Sequence, residues 1–107
     1  MIDVSVGTRM VLVLGRGHLE VDPARCVARA ADQAVPLLLL ALGYPTTGRQ
    51  QRFVAAAVDR AFELRVQMEA EMVPELSEIS PRLRPEDDVM VVAAGREGRD
   101  IGSAVAR

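Results

Sequence analysis

The sequence predicts an α+β fold: a small mixed sheet, built from an N-terminal hairpin or meander plus one later strand, packed by two or three helices. Three observations carry this. Residues 1–6 and 9–14 are rich in Val, Ile and Leu, which is strand composition. Two long stretches in the middle are bounded by helix start and stop signals. Near the end, residues 89–94 form an unbroken apolar run of the length of a buried strand.

Taken in order, Gly7-Thr8 separates the first two strands, and Gly15-Arg16-Gly17 supplies the positive φ that a tight connection needs. Residues 18–21 alternate polar and apolar as a third short strand. Asp22-Pro23 opens the first helix, since the Asp carboxylate can accept first-turn amides and Pro at the first position loses no needed donor. Its apolar stripe runs through Cys26, Val27, Ala30 and Ala31; Pro36 kinks or restarts it before Leu37 to Leu42, and Gly43 ends it. Thr46 or Thr47 caps a second helix expected from about Gly48 to Met72, with Val54, Val58, Ala61 and Phe62 at spacings of three and four. Residues 77–88 hold Pro81 and Pro85 among charged residues and read as a surface connection or a short irregular helix. After the strand at 89–94 comes a final helix from about Asp100 to Arg107. The order is ββ(β)-α-α-β-α, in a single domain spanning 1–107.

Half of the residues are apolar, yet Tyr44, Phe53 and Phe62 are the only aromatic ones, so one modest core of Val, Leu, Ala and Met is expected. The net charge of −2 arises from 13 Arg against 15 acids, with no Lys, which indicates neither a nucleic-acid partner nor an anionic membrane. The longest uncharged apolar run, residues 34–42, is far short of the roughly 20 residues a bilayer span needs. The lone Cys26 excludes an internal disulfide framework, which predicts a reducing, cytoplasmic setting and a soluble domain.

Two groups of residues are candidate sites. His18, Glu20 and Asp22 fall at every second position, which on a strand puts all three on one face, about 7 Å apart in sequence. An imidazole and two carboxylates suit a borderline or hard metal, although further ligands would have to come from elsewhere, and a solvated strand face shows the same pattern. Gly95, Gly98 and Arg99 lie where an apolar strand gives way to a helix, so backbone amides there, with Arg99 or Arg96, could cradle an anion. The spacing is not the dinucleotide pattern, and a plain turn is the alternative. Glu69, Glu71, Glu75, Glu78, Glu86, Asp87 and Asp88 read as a solvated face, and Cys26, on the apolar stripe, as a small buried hydrophobe. No catalytic constellation emerges.

Leu37 to Leu42 is apolar on every side, and the long helix offers Phe53, Phe62, Met68 and Met72 around more than one narrow stripe. This surplus predicts a non-catalytic accessory or interaction domain that forms a homo-oligomer or docks on a protein partner. The alternative is a small-molecule or cofactor-binding module. A metal-assisted enzyme built on His18, Glu20 and Asp22 is the third possibility.

Leu42-Gly43-Tyr44, followed by a long helix and later by Asp88-Val89-Met90-Val91-Val92-Ala93-Ala94, resembles the reactivation domain of cobalamin-dependent methionine synthase over roughly residues 38–106. Gly95 stands where that family has Thr. The resemblance implies binding of a corrinoid and of S-adenosylmethionine near that strand end, and carries over no individual binding residue.

Overall fold

The computed structural model describes residues 8–106. The strand expected over residues 1–6 therefore lies outside the described residues, as does Arg107. The elements are β1 (Met10–Leu14), α1 (Pro23–Gln33), β2 (Leu37–Leu42), α2 (Gly48–Leu64), β3 (Met68–Val73), two 3-10 turns (Leu76–Glu78 and Ser80–Arg82), β4 (Asp88–Val92) and α3 (Gly95–Val105). The small sheet packed by helices that the sequence predicts is present. Its strand order is β3-β2-β1-β4, and every described pair is parallel. A mixed sheet would need an antiparallel neighbour, and the strand expected to supply one is the segment outside the described residues.

Strand alternation sorts the core into two clusters. Met10, Leu12, Leu14, Leu37 and Leu39 face α1 and α2, where they meet Val27, Ala30, Phe53, Ala57 and Ala61. Val11, Val13, Leu38, Leu40 and Leu42 face the other way, against Ile79 from the 3-10 segment and Ile101 from α3. The sheet is thus covered on both faces, as parallel sheets usually are.

This arrangement corrects the reading of Leu37–Leu42 as the second half of a helix. A central strand buried on both faces has no polar side to alternate with, so its apolar run looks the same as a buried helix segment. The first helix is not kinked at Pro36. It stops at Gln33, where Ala34 turns left-handed at φ 57° and Val35 donates its amide to the Ala30 carbonyl at 3.1 Å. The second helix stops at Leu64 in the same way: Arg65 has φ 57° and Val66 donates to the Ala61 carbonyl at 2.9 Å. Met68–Val73, expected to be helical, is instead the edge strand β3. Neither stop carries the usual glycine, which is why both were invisible in the sequence.

Residues 18–21 are not a strand, because β1 already has β2 on one side and β4 on the other. The final helix begins at Gly95, ahead of Asp100. The segment over 77–88, expected as a surface connection or a short irregular helix, holds two short 3-10 turns and gives way to β4 at Asp88. One of its acids is not solvated: the Asp87 side chain is fully buried, accepting from Arg9 Nε at 2.9 Å and Nη2 at 3.1 Å, and from the Arg84 amide at 2.8 Å.

Candidate functional site at the carboxyl edge of the sheet

The chain leaves β1 for α1 on one face of the sheet and leaves β4 for α3 on the other. Between two neighbouring parallel strands, such divergence marks the crevice at the carboxyl ends where open α/β sheets usually place a ligand, and in this chain the Glu97 carboxylate occupies it. Here the crevice is flanked by Gly15-Arg16-Gly17 after β1 and by Ala93-Ala94-Gly95 after β4.

Glu97, in the first turn of α3, reaches across it. Its carboxylate accepts the Arg16 backbone amide at 2.7 Å and the Gly17 amide at 3.1 Å. The approach is close enough that a Cβ on Gly15 would collide with that carboxylate and lie 2.8 Å from the Ala93 Cβ. On the opposite wall no side chain caps α3, whose preceding residue is Ala94, and the space around Gly95, at φ 62°, is open.

Two polar side chains brace the edge. Gln50 is wholly buried; its Nε2 donates to the carbonyls of Leu14, Gly15 and Leu42 at 3.2, 3.1 and 2.9 Å. Its Oε1 accepts the Thr47 amide at 2.8 Å while Thr47 Oγ1 accepts the Gln50 amide at 3.1 Å, a capping box that also ties β1 to β2. Arg16 Nη1 donates to the Leu42 carbonyl at 3.2 Å and the Pro45 carbonyl at 2.9 Å. The guanidinium lies so close over Gly43 that a Cβ there would clash, and Gly43 has φ 95° besides.

Beside the crevice, the β1–α1 loop and the first turns of α2 line a shallow, open groove of about 340 Å³. His18, Arg49 and Arg52 form its exposed rim, with buried Phe53 and half-buried Leu19 and Val21 beneath.

The sequence-predicted site residues are placed as follows. His18 and Glu20 are exposed in irregular backbone, where the same-face spacing of a strand does not apply, and the Asp22 carboxylate accepts the Ala24 amide at 2.9 Å as the cap of α1. Among the described residues, no three His, Cys, Asp or Glu side chains gather as a metal-binding group. Gly95 opens α3 at the crevice, Gly98 has its amide inside the helix at 3.3 Å from the Ala94 carbonyl, and Arg99 is exposed. Cys26 is buried; desolvation chiefly, and then the Asp22 carboxylate, raise its thiol pKa, with Arg29 opposing. The Leu42-Gly43-Tyr44 step and the strand ending at Val92 both reach this same edge, separated by β1.

Sequence reasoning did not single out Arg16, Gly17, Gln50, Glu97, Arg49 or Arg52. A usable signal was present for some of them: Gly15-Arg16-Gly17 directly follows an apolar strand, and Thr47 with Gln50 three residues on is a capping-box pattern. Glu97 carried none, since its partners are about 80 residues away. No family model matches the chain, and no curated protein or solved structure matches it.

Proposed function

We propose that this chain is a small-molecule-binding module whose ligand places an oxyanion in the crevice between the β1–α1 loop and the start of α3. The observation that carries the reading is the Glu97 carboxylate on the amides of Arg16 and Gly17. Those donors already hold an anion, supplied by the chain itself. A ligand phosphate or carboxylate competes with it by also using the first-turn amides of α3, which have no side-chain cap. The open space at Gly95 favours that second contact.

The test is Glu97→Ala with inorganic phosphate. The variant is expected to melt lower than the parent and to be restored by millimolar phosphate, because a ligand that binds only the folded chain raises its melting point. Sodium chloride at matched ionic strength is expected to have no such effect. A folded variant that phosphate does not stabilise beyond chloride overturns the reading. Hydroxocobalamin belongs in the same ligand series, since the two segments that resemble the reactivation domain both end at this edge, on either side of β1. A cytoplasmic setting agrees with the lone buried thiol of Cys26.

A second reading is self-association, and one observation favours it: Phe62 is 86 % exposed on α2, four residues after Val58 at 48 %. Leu37–Leu42, expected to contribute, is buried inside the sheet, so the outer face of α2 is left to carry this role. Light scattering over a concentration series, on the parent and on Phe62→Ser, tests it. A dimer that Phe62→Ser dissociates supports it, and a monomer throughout overturns it. No helix among the described residues is long and apolar enough to cross a membrane.

A further inference from the structure

We infer that the groove between the β1–α1 loop and the first turns of α2 binds a small anion with an aromatic body, of which an aryl phosphate is the simplest form. The inference rests on the reading of the carboxyl edge as a ligand site, but it uses different residues from the crevice held by Glu97.

Three observations converge. The first is the placement of charge. Arg49 and Arg52 occupy the first turns of α2, which contains no acid there. Cations at a helix N-terminus oppose the macrodipole, so the pair works against helix stability while adding its field to that of the first-turn amides, of which Thr47 Oγ1 already caps the Gln50 amide. Arg52 reaches back over that turn: a Cβ on Gly48 would stand 3.2 Å from its Nη1.

The second is that these guanidinium groups are not neutralised by the chain. Arg9, Arg60 and Arg82 each pair with a carboxylate, and Arg16 is held by two carbonyls. Among the described residues, no acid pairs with Arg49 or Arg52. His18 adds a third nitrogen donor on the facing loop, and the nearby Asp22 carboxylate is turned onto the Ala24 amide. A mostly cationic rim of this kind attracts anions.

The third is the floor. Phe53, only 5 % exposed, lies under the rim with Leu19 and Val21, so the groove joins a charged mouth to an apolar base. At about 340 Å³ it is at the small end of ligand sites, which span roughly 300 to 1,000 Å³. That volume suits one ring, resting on Leu19, Val21 and Pro23 and touching the exposed edge of Phe53, with a phosphate held by the two arginines; guanidinium groups are the best side chains for such bidentate contact.

The experiment is calorimetric titration of the full chain with phenyl phosphate and with inorganic phosphate, repeated on Arg49→Gln/Arg52→Gln. Both arginines are exposed and Gln is a comparable helix former, so the variant is expected to keep its far-UV spectrum and melting point. Phenyl phosphate is expected to bind the parent about tenfold tighter than inorganic phosphate, and to lose about tenfold or more in the double variant. Equal affinity for the two ligands overturns the proposal, as does phenyl phosphate binding that is unchanged in the double variant. If that binding persists while phosphate still stabilises Glu97→Ala, the groove falls and the crevice stands. If the double variant loses it while phosphate leaves Glu97→Ala unaffected, the groove stands and the crevice falls.

Discussion

The Glu97 carboxylate accepts the Arg16 backbone amide at 2.7 Å across the crevice that separates the end of β1 from the start of α3. With the Gly17 amide at 3.1 Å, it joins two loops about 80 residues apart in sequence and anchors α3 to the sheet at its first turn.

Loss of that anchor is measurable as stability. A hydrogen bond to a charged group contributes about 1.5–3 kcal/mol, and because Glu97 is only half-buried, water takes over part of its two bonds and Glu97→Ala is expected to destabilise by about 2 kcal/mol in urea unfolding. Glu97→Gln, which keeps one acceptor oxygen without the charge, is expected to lose about half as much. An equal loss in the two variants would show that the whole effect belongs to the carboxylate charge, and no loss in Glu97→Gln would show that the charge contributes nothing.

Gln50 is expected to be the most sensitive polar position. Gln50→Met keeps the volume but removes the side-chain partner of the Leu14 and Gly15 carbonyls and of the Thr47 amide, leaves the Leu42 carbonyl only Arg16, and breaks the capping box. With about 1–3 kcal/mol for a stranded buried group and about 1 for a lost cap, a total near 3 kcal/mol is expected. The urea midpoint should fall with an unchanged slope. A loss under about 1 kcal/mol would mean that water replaces the amide.

The two helix stops predict stabilising changes. A residue with a Cβ held left-handed costs about 1–2 kcal/mol, and glycine's greater freedom in the unfolded chain takes back about 0.4–1. Ala34→Gly and Arg65→Gly are each expected to stabilise by about 0.5–1 kcal/mol, and because both positions line one pocket where the ends of α1 and α2 lie together, the double variant measures their coupling. Calorimetric melting of the two single variants and the double variant checks this.

Cys26 gives the chain a pH dependence on the alkaline side. Burial first, and then the Asp22 carboxylate, raise the folded thiol above its ordinary value of 9.0. Above that value the unfolded chain releases the proton while the folded chain keeps it, so this contribution to stability is intact below the ordinary value and is lost as pH climbs toward the folded one. Melting points between pH 8 and 10.5 should therefore fall more steeply in the parent than in Cys26→Ala. Asp22→Asn retains an N-cap acceptor and removes the charge, so it should shrink the difference.

Much of the architecture was legible locally. Met10–Leu14 announced itself by composition, Asp22-Pro23 and Thr47 marked the helix starts, and residues 89–94 stood out as an apolar run, of which 89–92 lie in β4. These signals are carried by neighbours in the chain, through capping geometry and side-chain period. The same local rules misread Leu37–Leu42 and Met68–Val73 as helix, because the evidence that separates strand from helix there is the strand alongside.

What the sequence by itself determined is a small helix-packed sheet with two well-capped central helices, and a core of aliphatic side chains. What only the tertiary structure decided is that the described strands all run parallel, that Arg9 and Asp87 form a buried pair, and that Glu97, Gln50 and Arg16 converge on one edge of the sheet. Each of these depends on contacts between residues far apart in the chain, and strand pairing and polar satisfaction take effect only once folding has brought such residues together.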